Sequence, residues 1–256
     1  MPVTSLDAYV AALEQRHLAD LTFREVTRAL RALSSAYVER RESALADHKA
    51  LDGAGKRAAF ALYYGPLHFL LVQHIIREIG AQLSPGIVVD LGCGTGVAGA
   101  AVATSVTPHL EVTGFDTHPW TLEEARFTYK SFGLRHDVRR AHAGTVRFPK
   151  GTSLVVAAFV VNELKEKDRS ALLGQLTQLH KTSNREPGSG HPHFLIIEPI
   201  SQRISPWWNE WAEVFTKLGG RNDMWKARID TPILVKRLAA SSGLRPEMLT
   251  ARSLFL

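Results

Sequence analysis

The chain has 256 residues, of which 45% are hydrophobic and 22% are charged, as expected for one large globular domain or a domain with an extension. Thirty-one Lys and Arg against 25 Asp and Glu give a net charge of +6, which is compatible with a phosphate-bearing partner. The single cysteine excludes internal disulfides and cysteine-ligated clusters, and we expect a cytoplasmic location. No apolar run approaches the roughly 18 residues that span a bilayer, and no secretory leader is recognised, so no membrane is expected as a partner.

Residues 1–82 predict an all-helical N-terminal extension or lid. Thr22 and Glu25 have the spacing of a capping box and open a helix with apolar residues at helical spacing. The other side of this helix and the residues after it carry a basic stripe, which either meets phosphate or faces solvent. The stripe comprises Arg24, Arg28, Arg31, Arg40 and Arg41.

A second helix is predicted from residue 56 to residue 81, and the sequence Tyr-Tyr-Gly-Pro-Leu-His-Phe at 63–69 interrupts it. A Gly-Pro step breaks or kinks a helix because proline lacks an N–H group. The aromatic residues around the step either pack against the sheet or cover the cofactor edge. The predicted substrate or lid residues are Tyr63, Tyr64 and His68.

Residues 88–99 read Val-Val-Asp-Leu-Gly-Cys-Gly-Thr-Gly-Val-Ala-Gly, an apolar strand that runs into a glycine-rich turn. Glycine lets the backbone pass close to a ligand, and the free N–H groups of the following helix face the turn. Asp90–Gly96 has the pattern Asp-x-Gly-x-Gly-x-Gly, which resembles the first motif of class I methyltransferases, the enzymes that bind S-adenosylmethionine (SAM). An acidic Asp90 suits the sulfonium cation of SAM and would repel a pyrophosphate.

A dinucleotide site is the alternative interpretation of this turn. The spacing Gly-x-Gly-x-x-Gly is met by Gly94, Gly96 and Gly99, but it starts two residues too late after the strand. A second strand over 111–115 leads to Asp116, whose carboxylate can accept both ribose hydroxyls of either SAM or NAD. SAM is therefore the predicted cofactor, and NAD remains only through the later glycine register.

Residues 83–256 predict the SAM-binding domain, an α/β fold with a Rossmann-like, mostly parallel sheet of six or seven strands. We predict strands at 87–91, 111–115, 137–142, 153–158, 193–198 and 248–255, with helices at 97–106, 120–132 and 169–182. Two later helices follow the Ser-Pro step at 205–206 and the Thr-Pro step at 231–232, and 182–192 is a predicted loop. The seventh strand lies in 221–230 or is missing. Trp207 and Trp211 favour core packing over the stacking of bases.

Ligand-binding groups in an open parallel sheet lie beyond the carboxyl ends of the strands, and this rule selects the remaining candidates. The predicted cofactor-binding residues are Asp90, Gly92, Cys93, Gly94, Gly96, Asp116, Thr117, His118, His142, Ala143 and Phe159. Beside the methyl group, the predicted catalytic residues are Asn162, Glu163 and Glu198. Their structural alternatives are helix capping for the first two and an arginine partner for Glu198. No metal site is predicted, because His191 and His193 have no third ligand nearby.

Four segments together are similar to the mitochondrial ribosomal small-subunit methyltransferase-like family and its bacterial relatives. They are residues 29–40, Asp90–Gly96, Phe159–Leu164 and Ile196–Pro199. The resemblance implies a class I methyltransferase with a helical N-terminal extension and the small ribosomal subunit as its partner. Many members carry a cysteine cluster for an iron–sulfur centre after the fifth strand, and this chain has none there.

We therefore expect a SAM-dependent methyltransferase with RNA, foremost ribosomal RNA, as the acceptor. A small-molecule methyltransferase and a SAM-binding ribosome assembly factor without transfer activity are the alternatives.

Overall fold

The computed structural model describes residues 5–39, 51–106, 110–183 and 191–256. In these ranges seven strands form one sheet: β1 (Ile87–Leu91), β2 (Glu111–Asp116), β3 (His136–Arg140), β4 (Thr152–Ala158), β5 (His193–Glu198), β6 (Arg221–Ala227) and β7 (Leu249–Phe255). Their order is β3-β2-β1-β4-β5-β7-β6, and only β7 runs antiparallel to its neighbours. The predicted Rossmann-like α/β class is confirmed. Arg40, Arg41 and residues 184–190 of the predicted loop lie outside the described residues.

The seventh strand, which the sequence left open, is β6. Its sequence has no apolar run, because within the described ranges β6 is the edge of the sheet and β7 is its one neighbour. Met224 on this strand is 66% exposed, whereas the indole N–H of Trp225 donates to Ser253 Oγ at 2.8 Å. Charged residues on an exposed edge strand also discourage pairing with other chains.

Nine α-helices within the described ranges cover the two faces of the sheet. They are α1 (Leu6–His17), α2 (Phe23–Glu39), α3 (Ala54–Ala59), α4 (Gly65–Ile79), α5 (Val97–Ser105), α6 (Pro119–Ser131), α7 (Glu166–Ser183), α8 (Trp208–Lys217) and α9 (Ile233–Ser242). Alternate residues of β1 enter opposite cores, Val88 with the N-terminal helices and Val89 with α7 and α8. The N-terminal helices share a core with α5, α6 and α9. The division of the chain into two domains between residues 82 and 83 stays a prediction.

The predicted capping box and tryptophan core are both present. Thr22 N donates to Glu25 Oε2 at 2.7 Å, and Glu25 N donates to Thr22 Oγ1 at 3.3 Å. Trp207 and Trp211 are buried, which confirms core packing. Arg24 and Arg28 of the basic stripe are exposed, but Arg31 donates to the backbone carbonyl of Ser241.

The Gly65-Pro66 step does not break the helix. A π-helical turn, Phe60–Tyr64, joins α3 to α4, and Gly65 N donates to the carbonyl of Phe60. The wider turn suits a proline at the next position, because Pro66 supplies no N–H group. The interruption is therefore a π turn, a type that often marks functional sites.

The continuous helical stretch Ala54–Ile79 has 26 residues and is long and apolar enough to cross a membrane by length and composition. The expectation that no apolar run approaches the length of a membrane-spanning helix is therefore wrong. Of the apolar 18-residue window within this stretch, 67% is buried inside the protein. Leu62, Val72 and Ile75 in this stretch belong to the core beneath the sheet face, as in a central core helix.

Helix α1 is attached to α6 by polar contacts that are largely buried. Glu124 of α6 is 1% exposed and accepts from Arg16 Nε at 2.9 Å, and its other oxygen lies 3.1 Å from His17 Nε2. Burial opposes ionisation of Glu124, but the hydrogen bonds and charges of His17 and Arg16 outweigh burial and lower the pKa. The N-terminal helix is thus held to the domain by an ionised carboxylate.

Replacing Glu124 by Gln should lower the free energy of unfolding by about 1.5–3 kcal/mol, because hydrogen bonds to a charged acceptor are lost. Urea unfolding at neutral pH measures this change. The adjacent and exposed Glu123→Gln is the matched control and should change stability by less than about 0.5 kcal/mol. Equal effects of the two substitutions would contradict the assigned role of Glu124.

Candidate functional site

The glycine turn between β1 and α5 combines two crowded positions with one open position. A Cβ at Gly92 would approach Val160 Cγ2 within 2.1 Å, and a Cβ at Gly96 would approach Ala125 Cα within 2.9 Å. At Gly94, by contrast, the nearest atom to an added Cβ is the Gly92 carbonyl oxygen at 4.0 Å. The turn is therefore packed against the protein on both sides of Gly94, while the space next to Gly94 is free for a ligand.

Asp116, at the end of β2, holds the turn in place. Its Oδ2 accepts from Gly94 N and its Oδ1 accepts from His118 N, each at 2.9 Å. Asp116 is only half-buried, and each oxygen has a further lone pair for a ligand hydroxyl. Asp116 thus meets the geometric requirement of a ribose ligand and also fixes the position of the backbone beside it.

Asp90 supports the turn from beneath. Its Oδ2 accepts from Gly99 N at 2.7 Å and from Tyr129 Oη at 2.9 Å, and the side chain is 1% exposed. Burial raises the pKa of Asp90 to about 7. The structure therefore directs this carboxyl group at α5 and α6, and contact between Asp90 and the cofactor stays a prediction. Tyr129, its partner from α6, was not found from the sequence because the two residues are far apart in the chain.

Cys93, which lies within the turn, also points into the protein. A Cβ at Gly114 would lie 3.1 Å from its Sγ, and burial raises the pKa of the thiol. Cys93 N donates to the carbonyl of Phe115 at 2.9 Å, so the residue ties β1 to β2 through its backbone. A nucleophilic cysteine needs surroundings that lower the pKa of its thiol, whereas the surroundings of Cys93 raise it.

Four of the remaining predicted cofactor residues lie after the ends of β2 and β3, and the fifth, Phe159, follows β4. His118 caps α6 and accepts from Trp120 N at 3.2 Å, and the Thr117 carbonyl accepts from Arg140 Nε at 3.1 Å. His142 is exposed and accepts from Gly144 N at 3.3 Å, while Ala143 is buried. Their contacts to an adenine or ribose remain predictions.

Beyond β4 the backbone adopts an unusual conformation. Phe159 has φ +61°, and it is the only non-glycine residue with positive φ in the part of the chain that the structure describes. Its N–H donates to the carbonyl of Ile197 at 2.8 Å, which holds the strained residue between β4 and β5. Strain of this kind concentrates at functional sites.

The three predicted catalytic residues lie next to one another after β4 and β5. Asn162 N donates to Glu198 Oε1 at 3.1 Å, and Asn162 Oδ1 and Glu198 Oε2 are buried without a partner. Burial raises the pKa of Glu198 to about 8, so this group is mainly protonated at neutral pH. Glu163 is exposed at the residue level, yet desolvation of its carboxyl group, together with the nearby Asp116, raises its pKa to about 7.

The structural alternatives for these residues were helix capping for Asn162 and Glu163 and an arginine partner for Glu198. Arg252 faces Glu198 in the β5–β7 register, and its charge opposes the rise in the pKa of Glu198, although among the described residues the two groups form no ion pair. Arg252 instead donates to the carbonyl of Ser205 at 3.2 Å and lies 4.3 Å from the centre of the Trp208 ring. Asn162 and Glu163 belong to a 3-10 turn that ends before α7 begins. The catalytic roles themselves stay predictions.

A cavity of about 180 Å³ lies between α4 and the ends of β4, β5 and β7. Its walls include Tyr64, His68, Leu71, Phe159, Pro199 and Thr250. Two of the predicted lid residues, Tyr64 and His68, therefore border this cavity, whereas Tyr63 is 4% exposed and belongs to the core. The wall from β7 had no signal in the sequence, because it depends on the position of β7 beside β5.

The residues around the turn fit a cationic nucleoside better than a diphosphate. Asp116 is close enough to Asp90 and Glu163 to raise the pKa of each through like charge, and no Lys or Arg in the described ranges forms an ion pair with any of the three. Acidic surroundings favour a sulfonium and an ammonium group and disfavour a pyrophosphate. Asp116 and Glu163 therefore favour SAM over the dinucleotide alternative, while Asp90 is buried beneath the turn and acts on its backbone.

Comparison with known proteins agrees with this geometry. Residues 88–183 match the family model described as "Methyltransferase domain". No curated protein sequence matches the chain.

Several solved structures are similar in fold. A SAM-dependent methyltransferase from Aquifex aeolicus is 15% identical, with 75% of this chain and 91% of that chain covered and a TM-score of 0.46. A methyltransferase from Pyrococcus furiosus is 14% identical, with 89% of this chain and 96% of that chain covered and a TM-score of 0.45. A tRNA (uracil-54, C5)-methyltransferase from Pyrococcus abyssi is 16% identical, with 72% of this chain and 38% of that chain covered and a TM-score of 0.42.

The sheet order, the clamped glycine turn and the family-model match identify a SAM-dependent methyltransferase with the class I fold. Its cofactor is SAM. The groups available to hold the nucleoside of SAM are the backbone at Gly94 and the carboxylate of Asp116. Both residues belong to the predicted cofactor-binding set.

Replacing Asp116 by Ala should weaken SAM binding by about 1.5–3 kcal/mol, because charge-supported hydrogen bonds are lost. Titration calorimetry measures the change, and Asp137→Ala on the exposed part of β3 is the matched control. SAM affinity that is unchanged in Asp116→Ala would mean that the ribose lies elsewhere.

The raised pKa of Asp90 predicts a defined pH dependence of stability. The folded chain keeps a proton that the unfolded chain releases, so the contribution of Asp90 to stability falls as pH rises from about 4 to about 7. Asn at position 90 keeps an acceptor oxygen but does not titrate. In urea unfolding, the stability of Asp90→Asn relative to wild type should therefore rise over that interval and then level off. A difference that does not vary with pH would contradict the assignment.

Proposed function

We propose that the protein transfers the methyl group of SAM to a base of RNA, with small-subunit ribosomal RNA as the foremost substrate. The observation that carries the proposal is the uncharged, partly aromatic wall of the 180 Å³ cavity beside the acidic cofactor site. Such a wall suits the face of a base, and it offers no cation for a phosphate. The net charge of +6 supports phosphate contacts elsewhere on the surface.

The chain's own residues have a limited task in such a reaction. SAM supplies a methyl group that its sulfonium already activates, so the protein mainly aligns donor and acceptor. Asp116 and the backbone at Gly94 hold the nucleoside, while Phe159, Tyr64 and Leu71 exclude water from the acceptor side. Removal of a proton is needed only where the acceptor atom carries one.

An RNA base would have to leave its stack to enter this cavity. Unpaired bases in loops and at ends can turn outward and stack on aromatic side chains, so the preferred substrate is single-stranded or looped RNA. The similarity of four segments to the mitochondrial ribosomal small-subunit methyltransferase-like family supports the ribosomal substrate. The absence of that family's cysteine cluster indicates that any ribosomal role here does not use an iron–sulfur centre at that position. A cytoplasmic location belongs to the same proposal.

A small aromatic metabolite is the second candidate acceptor, because a cavity of about 180 Å³ has room for a single ring system. Transfer of radiolabelled methyl from SAM distinguishes the candidates, with small-subunit RNA in one reaction and a metabolite extract in the other. The proposal predicts label in RNA. Label only in the extract supports the second candidate, and SAM binding without label in either reaction supports an assembly factor.

The exposed arginines of α2 provide a test of RNA contact. The double substitution Arg24→Glu and Arg28→Glu should reduce RNA affinity about tenfold or more and lower the salt slope by about 2. SAM affinity should not change. The charge-matched control replaces the exposed Arg77 and Arg245 by Glu. Equal losses of RNA affinity in the two double variants would show that net charge acts without a defined contact surface.

A further inference from the structure

His68 occupies a special position in the wall of the cavity. It lies on the first turns of α4, and its ring stacks on the strained Phe159 with ring centres 4.3 Å apart and planes at 28°. The rings of Phe60 and Tyr64 lie 6.3 Å and 6.2 Å away. The imidazole is thus held among three aromatic rings at the border of the acceptor space.

Two sets of contacts connect this position to the cofactor turn. A Cβ at Gly65, one helical turn before His68, would lie 3.6 Å from Thr95 Oγ1 and 3.7 Å from Val97 Cγ1, at the start of α5. On the other side, Val160 follows the stacking partner Phe159 and packs directly on Gly92. The ring of His68 is therefore separated from the glycine turn by single layers of residues.

The nitrogens of the His68 ring are free to act on a ligand. Within the described ranges neither nitrogen has a hydrogen-bond partner, and no carboxylate pairs with the ring. Burial lowers the pKa of His68 to about 4, so the imidazole is neutral at physiological pH. Among the described residues, Tyr64 is the one other titratable group in the cavity wall, and burial raises its pKa. The parts of β4, β5 and β7 that face the cavity contribute no charged side chain.

We propose that His68 is a catalytic residue, which binds the N–H or O–H group of the acceptor and takes its proton during methyl transfer. This inference rests on the proposed transfer reaction and narrows the acceptor to a neutral planar ring that carries an exchangeable proton. A neutral imidazole also avoids repulsion with the sulfonium cation of the donor.

The step balances in charge and atoms. A bond forms between the acceptor atom and the methyl carbon while the carbon–sulfur bond breaks and its electron pair stays on sulfur. The acceptor proton moves to the free nitrogen of His68, so one positive charge leaves the sulfonium and one appears on the imidazolium. Because of its low pKa, the imidazolium then releases its proton to water, which restores the neutral ring.

Phenol and benzene probe the site without any assumption about RNA. Both fit as single neutral rings, but only phenol carries an O–H group. In ¹⁵N spectra of the full chain with bound S-adenosylhomocysteine, phenol should shift a ring nitrogen of His68 saturably, and benzene should not. His68→Phe keeps an aromatic ring against Phe159 and should bind phenol about threefold to tenfold more weakly. An unshifted His68, or equal phenol affinity in His68→Phe, would overturn the proposal.

The transfer reaction itself provides the second test. His74, on the same helix, contacts Trp225 edge-on at 6.0 Å, and His74→Phe is the matched control. His68→Phe should retain SAM affinity but lose about 100-fold or more in methyl transfer to small-subunit RNA. Its residual rate should rise about tenfold per pH unit, whereas the wild-type rate should be flat near neutral pH. Wild-type-like rates and pH profile in His68→Phe would refute the role.

The two failures are distinguishable. If wild-type protein labels no RNA, the RNA acceptor is wrong, while the phenol experiment still decides the role of His68. If RNA is labelled equally by wild type and His68→Phe, the proposed function holds and the role of His68 is wrong.

Discussion

The structure depends on the hydrogen bonds that hold the glycine turn between two carboxyl groups. Asp116 fixes the upper side through Gly94 N, and Asp90 fixes the lower side through Gly99 N. A turn of glycines has little conformational preference of its own, so these bonds select one conformation before any ligand is present. The open position at Gly94 and the acidic character of the site both result from this arrangement, and both favour SAM.

The N-terminal helix α1 is connected to the glycine turn by hydrogen bonds. Tyr9 Oη lies 2.7 Å from Thr128 Oγ1, which donates to the Thr95 carbonyl of the turn at 2.6 Å. All three residues are buried, so α1 is connected to the cofactor turn by a continuous hydrogen-bonded chain. Helix α4 meanwhile supplies His68 to the wall of the cavity at the ends of β4, β5 and β7. The glycine turn and this cavity are therefore supported by one shared core.

Local patterns were sufficient for β1, the glycine turn, Asp116 and the capping box at Thr22, because each depends on residues close in sequence. Contacts distant in the chain could not be predicted. The edge strand β6 lacks apolar alternation, and the partnership of Tyr129 with Asp90 spans 39 residues. The π turn before Gly65 and the cavity wall from β7 likewise arise only once the sheet is assembled. The side-chain direction of Asp90, toward α5, also needed the structure.

A crystal structure of the protein soaked with S-adenosylhomocysteine tests whether the glycine turn binds the nucleoside. We expect the ribose against Asp116, the backbone of Gly94 within contact distance of the nucleoside, and the sulfur atom on the side of Phe159. An empty cleft beside Gly94 at saturating ligand, or a diphosphate group bound there from a competing dinucleotide, would contradict it.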